Sequence, residues 1–307
     1  MAGRLAILCP GQGAQHPAMF DMARGDPAAA SLLASWFDHP RLGQALRAAC
    51  EGEQAFTNRV AQPSIVAATL AMWTALGDLQ PALVAGYSIG ELASYGVAGA
   101  LAPTAVLELA IERARLMDAC AADGPAQGML ALSGMPDGSV ADLLVRFGFY
   151  PAIVTGDDAL VAAGPLAARD GLAAAASAAG GKATVLPVAV ASHTPLLQGA
   201  VAPFAEVLKT QPWRAPAFPV LSGISAEPVH DAAKALAELP RQIAEPILWR
   251  ECMDALAEGG ITVALELGPG AALARMLQAR HPGIACRSVS EFRSLDGIHS
   301  WLDRNLE

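Results

Sequence analysis

Charged side chains are scarce in this chain. Asp, Glu, Lys and Arg make up 16% of its 307 residues, and 20 basic residues stand against 29 acidic ones. The net charge of -9 argues against a nucleic-acid binder, which needs a basic footprint. An acidic partner would still be served by a local basic patch. Paired cysteines are missing too. Cys9, Cys50, Cys120, Cys252 and Cys286 stand far apart with no CxxC spacing. They read as free thiols of a reducing compartment, not as a disulfide or zinc framework. The apolar run after Arg4 ends at Cys9, too short for a secretory leader. A longer uncharged stretch, Val60 to Gly77, carries Gln62, Pro63, Ser64, Thr69 and Thr74, and suits a buried helix better than a membrane span. Repeats and low-complexity linkers are also lacking. The expectation is a soluble cytoplasmic protein with no nucleic-acid or membrane partner.

What the chain has in quantity is apolar surface, at 53% of residues, ample for a large core and a smaller inserted domain. Its organising stretch is Leu83-Val84-Ala85-Gly86-Tyr87-Ser88-Ile89-Gly90-Glu91. An apolar run ends in Gly-x-Ser-x-Gly and a helical pattern follows, the signature of a nucleophile elbow. Glycines at 86 and 90 would let strand and helix approach closely around a strained Ser88. The serine would lie at a helix N-terminus, where unpaired N–H groups can hold an oxyanion. Taken alone, the motif fits an ordinary glycine-rich turn equally well.

Alternating strands and helices fill the rest. Leu5 to Cys9 reads as a buried strand opening into Pro10-Gly11-Gln12-Gly13-Ala14-Gln15. Helices are expected over Pro27 to Cys50, Pro63 to Leu76, Ile89 to Tyr95 and Pro103 to Cys120. Further strands are expected at Pro219 to Gly223 and Ile261 to Leu267, with helices over Arg250 to Glu258 and from Gly270 to about Ala279. Between them, Met129 to Val190 reads strand-helix-strand-strand-helix-strand, the ferredoxin-like pattern, with its last strand over Ala183 to Val190. The expected architecture is an α/β-hydrolase-like domain (1–125 and 191–307) with a mainly parallel sheet, interrupted by a ferredoxin-like α+β insert (126–190). In such sheets ligands bind at the C-terminal strand ends, where Ser88 and the Gln12 loop both lie.

Two further residues invite chemistry. In the Pro103 to Cys120 helix, Val106, Ala110, Arg113, Met117 and Cys120 form one stripe. Arg113 is thus a cation on the buried face. It is either half of a structural ion pair or a receptor for an anion, with a guanidinium fork suited to a carboxylate. His193 follows the last strand of the insert, where strand gives way to loop, while His16, His39, His230, His281 and His299 lie in polar or Pro-flanked contexts. A lone histidine there is either a satisfied structural residue or the base for Ser88. The acidic residues between them in sequence, Asp157, Asp158 and Asp170, fall in the insert. A Ser–His dyad oriented by a backbone carbonyl therefore fits better than a triad.

Read together and in order, several segments resemble the malonyl-CoA:acyl-carrier-protein transacylase family over almost the whole chain. They are Gly11-Gln12-Gly13-Ala14-Gln15, Gln62-Pro63, Gly86 to Glu91, Arg113 with Leu116-Met117, Ser192-His193, Gln242 before Pro246 and Trp249, and Gly268-Pro269-Gly270. The resemblance implies Ser88 as the acyl-accepting nucleophile and His193 as general base and then acid. It implies an oxyanion hole from the N–H groups of Gln12 and Ile89, and Arg113, Met117 and Gln242 as substrate-binding residues. Arg113 would take the malonyl carboxylate, and the Gln242 carbonyl would orient His193. Malonyl-CoA and a phosphopantetheine-type carrier arm would be substrates, with no bound cofactor and no metal. Tyr87 replaces a usual His, and Thr155 falls roughly at a frequent Asn, both beside the acyl pocket. The Gly-Tyr-Ser-x-Gly-Glu form and Ala93 to Gly99 look most like the epsilon subunit of bacterial malonate decarboxylase. That likeness implies a partner acyl carrier protein and other decarboxylase subunits. The transacylase of fatty-acid or polyketide synthesis is the alternative within the family. A serine thioesterase or esterase, and a silent carrier-binding module, are the alternatives outside it.

Overall fold

A computed structural model describes residues 3–52, 54–135 and 138–307. Among these residues the strands are β1 (Leu5–Cys9), β2 (Leu83–Gly86), β3 (Gln127–Ser133), β4 (Tyr150–Val154), β5 (Ala159–Pro165), β6 (Lys182–Leu186), β7 (Val220–Leu221), β8 (Pro228–Val229), β9 (Ile247–Leu248), β10 (Val263–Glu266) and β11 (Ala285–Ser288). They form two sheets. The larger has the order β11-β10-β1-β2-β7-β8, parallel throughout except for the short antiparallel edge strand β8. β1 and β2 are buried at every residue, as the central strands of a parallel sheet covered on both faces must be. Alternation along β1 sends Leu5, Ile7 and Cys9 into one core and Ala6 and Leu8 into another.

The smaller sheet has the order β6-β3-β5-β4-β9. Its first four strands pair antiparallel with two helices, Ser139–Phe147 and Leu166–Ala178, packed on one face. That is the ferredoxin-like arrangement. The other face joins Met129, Ile153 and Val161 to Leu8, Ala85 and Trp249, so the two sheets share a core. The protein is an α/β-hydrolase-like unit with a ferredoxin-like subdomain. β9 was not anticipated: it belongs to the sequence after 191 yet pairs parallel with β4.

Local chemistry explains where elements stop. The expected helix over Pro27 to Cys50 is two, Pro27–Asp38 and Leu42–Glu51. His39 precedes Pro40 and is extended (φ -69°, ψ 130°), because the proline ring disfavours α geometry there. The next helix starts earlier than Pro63, running Asn58–Leu76 with the proline inside it. β6 ends at Leu186, just before Pro187, which has no N–H to donate to a ladder. Val188 and Val190 therefore belong to a loop, not to the expected strand through Val190. Helices Gln198–Lys209, Ala232–Glu238 and Leu295–Leu306 complete the outer layers. Among the described residues no helix is long and apolar enough to cross a membrane.

Candidate active site

Ser88 sits at the junction of β2 and the Ile89–Val97 helix with φ 56° and ψ -118°, a conformation costly for any residue with a Cβ. Its neighbours make the turn possible. A Cβ on Gly90 would lie 2.0 Å from the Cys9 carbonyl oxygen, and one on Gly86 would lie 2.2 Å from the Glu91 amide nitrogen. Only hydrogen fits at either position.

His193 arrives from the loop after β6, also at positive φ (64°), with its N–H donating to the Ile243 carbonyl at 2.8 Å. Its Nε2 lies 2.8 Å from Ser88 Oγ, and its Nδ1 lies 2.5 Å from the Gln242 carbonyl oxygen. A carbonyl only accepts, so Nδ1 carries the proton and Nε2 presents its lone pair to the serine. Burial pushes the imidazole pKa down to about 3, and the Arg113 charge adds to the effect. The ring is neutral at physiological pH, ready to take a proton.

Arg113 lies on the inner face of the Pro103–Ala122 helix and is 1% exposed. Its Nη1 donates to Gln62 Oε1 at 2.8 Å and its Nη2 to Gln242 Oε1 at 3.1 Å. Nε has no partner among the described residues. Burial lowers its pKa to about 10, which leaves it charged at neutral pH. Of the two readings of this cation, the structural ion pair is absent: no carboxylate lies within salt-bridge distance among the described residues. Glu91, buried nearby, is reached only across Gln242.

These groups meet in a cavity of about 600 Å³ between the two sheets. Ser88, His193 and Arg113 share its wall with Gln12, Gln62 and Tyr87, while β3, β5 and β6 close the far side. Among the described residues the N–H groups of Gln12 and Ile89 have no hydrogen-bond partner. Gly13, beside Gln12, is fixed by an N–H donated to Gln15 Oε1 at 2.6 Å, and Gln15 is tied in turn to the Ala55 carbonyl at 2.7 Å. Tyr87 packs edge-on against Trp249 with ring centroids 5.4 Å apart. Thr155 reaches the cavity, and Lys182 stands exposed at its edge.

Two of the residues expected to bind substrate stand back from the wall. Met117 is buried behind Gln62, whose Nε2 donates to its Sδ at 3.5 Å. Gln242 is fully buried and braces Arg113 and His193.

The acyl transferase domain profile matches residues 7–283 of this chain. The chain belongs to the acyl transferase family. It is 32% identical over 305 residues to the malonyl CoA-acyl carrier protein transacylase of Mycobacterium tuberculosis, covering 96% of this chain and 99% of that one. The crystal structure of MCAT from Mycobacterium tuberculosis superposes with a TM-score of 0.88 at 31% identity, over 99% and 100% of the two chains. A type II polyketide-synthase acyl-carrier protein in complex with its malonyl-transacylase (PlMCAT:AntF, holo) matches with a TM-score of 0.88 at 25% identity, over 98% of this chain and 100% of that one.

In this acyl transferase, two site residues were not given roles from sequence alone. Gln62 was visible as a polar residue in an apolar helical segment, yet nothing in its spacing pointed at Arg113, 51 positions away. Glu91 closes the elbow motif, and it turns inward: it is 1% exposed, its Oε2 accepts the Gly223 N–H at 2.9 Å and a Gln242 side-chain N–H, and burial raises its pKa to about 7.

Proposed function

We propose that this chain moves a malonyl group from malonyl-CoA, through an ester on Ser88, to the thiol of an acyl carrier protein's phosphopantetheine-type arm. It is thus a malonyl-CoA:acyl-carrier-protein S-malonyltransferase. The observation that carries this reading is a buried, charged guanidinium with no carboxylate partner among the described residues, in the wall of the cavity that holds the Ser88–His193 pair. An acyl group with its own carboxylate completes that site, whereas a neutral acyl group leaves the cation uncompensated.

In the first half-reaction Ser88 Oγ attacks the thioester carbonyl as its proton passes to His193 Nε2. The Gln12 and Ile89 N–H groups hold the oxyanion, aided by the positive end of the Ile89–Val97 helix. The Gln242 carbonyl, already bonded to Nδ1–H, steadies the imidazolium that forms. Collapse of the intermediate breaks the C–S bond, and His193 returns its proton to the leaving CoA thiolate. The second half runs in reverse: His193 takes the proton of the carrier thiol, sulfur attacks the Ser88 ester, and the serine leaves reprotonated. Met117 and Gln242 act by holding Gln62 and Arg113 in place. A water attacking in the second half would make the protein a thioesterase, and a cavity closed on one side by the apolar strands of the small sheet limits that loss.

Two carriers fit. The carrier subunit of malonate decarboxylase is favoured by Tyr87 at the elbow and by the Ala93 to Gly99 segment, and implies contact with other decarboxylase subunits. The carrier of fatty-acid or polyketide synthesis is favoured by the names of the relatives above. We read 1–125 and 191–307 as the acyltransferase domain and 126–190 as its insert. We place the protein in the cytoplasm, a reading supported by five unpaired cysteines. Discharge of the malonyl-enzyme by each purified carrier tests the choice. Rapid loss of the adduct to one carrier identifies the partner, and release of free malonate with neither would overturn transfer.

A further inference from the structure

Gln242 joins His193, Arg113 and the backbone of Ser88. Its backbone carbonyl accepts from His193 Nδ1. Its side-chain oxygen accepts from Arg113 Nη2 at 3.1 Å, and its Nε2 donates to the Ser88 carbonyl at 3.2 Å and to Glu91 Oε2. An amide has two orientations of nearly equal shape and opposite hydrogen-bonding sense. Arg113 can only donate, so it needs the oxygen. Something must hold the NH2 on the opposite side while substrate comes and goes.

We propose that Glu91 is the positioning residue that does this: its Oε2 fixes the orientation of the Gln242 amide, and through it the setting of the Arg113 guanidinium. The helix places it for the task. Glu91 is the third residue after Ser88, at the start of the Ile89–Val97 helix, and its side chain runs inward under the elbow. Oε2 is anchored from the far side by the Gly223 N–H at 2.9 Å. Glu91 Oε1 has no partner among the described residues, so a proton taken up there leaves Oε2 an acceptor and the amide unturned. Glu91 touches neither nucleophile nor base side chain; it acts through Gln242. The inference rests on the reading of Arg113 as the carboxylate receptor.

The test is a double-mutant cycle on the full chain, read as the rate constant for malonylation of Ser88 by malonyl-CoA, with thermal unfolding as the control for folding. Glu91→Met keeps the volume and removes the acceptor, while Glu91→Gln keeps an oxygen at that place. Glu91→Met is expected to slow malonylation about tenfold or more, the scale of a misplaced binding group, with acetylation by acetyl-CoA changed by less than about threefold. Glu91→Gln is expected to stay within about threefold of wild type for both. Gln242→Ala, which leaves the carbonyl to His193 intact, is expected to match Glu91→Met, and the double variant to be no slower than either single one. Losses that multiply in the double variant, equal losses for both acyl groups, or an unaffected Glu91→Met would overturn the proposal. If Glu91→Met does not fold, Glu91→Asp, which withdraws the oxygen by one methylene, takes its place in the cycle. Loss of folding in both variants would overturn positioning in favour of a structural role. Wild-type protein that is never malonylated would instead overturn the function on which the inference rests.

Discussion

On the proposed function, replacing Arg113 by Ala should separate binding of the acyl carboxylate from everything else the site does. In the free protein the guanidinium is 1% exposed and held by two neutral amide oxygens, Gln62 Oε1 and Gln242 Oε1. On the proposed function, a malonyl carboxylate brought to it would form charge-assisted hydrogen bonds. Removing one partner of such a buried pair costs about 2–5 kcal/mol. At 1.36 kcal/mol per factor of ten, kcat/KM for malonyl-CoA should fall by roughly 30-fold to 5,000-fold. Acetyl-CoA offers no carboxylate, so its transfer should change by less than about fivefold. The variant leaves two buried amide oxygens without a donor, a stability cost of about 1–3 kcal/mol each. A thermal melt beside the kinetics therefore shows whether the protein remains folded at the assay temperature. Parallel rates of Ser88 acylation from the two thioesters decide the matter. Losses of equal size for malonyl and acetyl groups, in a folded variant, would refute the carboxylate-receptor argument.

Three other outcomes follow from the same geometry. His193→Ala should leave the melting temperature within a few degrees of wild type and slow acylation by about 100-fold to 10,000-fold; undiminished acylation would remove His193 from the chemistry. The pH profile should show the same charge coupling. On the proposed mechanism His193 works as its neutral form, which persists as pH falls until the depressed pKa is approached, so kcat/KM for acylation should not decline through the usual histidine range near pH 6.5. Arg113 is one cause of that depression. Its removal should move the acid limb of kcat/KM to higher pH, and an unmoved limb in Arg113→Ala would show that the two groups are uncoupled. Gly90→Ala must push a methyl group against the Cys9 carbonyl from 2.0 Å away. It should lower stability by at least about 1–3 kcal/mol in denaturant titration, and a neutral effect would mean that the elbow yields more easily than its packing implies.

How much of this was legible in the chain depends on how local each signal is. The elbow could be read directly, because a strand, two glycines and a helix lie within nine residues and each has its own steric reason. The ferredoxin-like pattern could be read because its strands and helices succeed one another in about 65 residues. Helix and strand ends near prolines were misjudged where two rules compete. Pro63 suits a first turn yet lies inside the Asn58–Leu76 helix, whose buried face overrides the preference. Two-residue strands such as β9 carry no periodicity and exist only through tertiary pairing. The site divides in the same way. Ser88, His193 and Arg113 stood out as chemistry in unusual settings: a serine between glycines, a histidine at a strand end, a cation on an apolar face. The fold brings Gln62 to Arg113 from 51 positions away, Gln242 to His193 from 49, and Glu91 to Gln242 from 151. The family resemblance had already pointed to the Gln242 carbonyl as the partner of His193, whereas the roles of Gln62 and Glu91 appear only once their inward-facing polar atoms are placed.

The most direct test of the account is intact-protein mass spectrometry after brief exposure to malonyl-CoA, beside acetyl-CoA and a Ser88→Ala control. A single malonyl adduct that is absent from Ser88→Ala and weak with acetyl-CoA is the predicted result. A chain that releases free malonate without ever carrying the adduct, or that is malonylated equally well without Ser88, would contradict it.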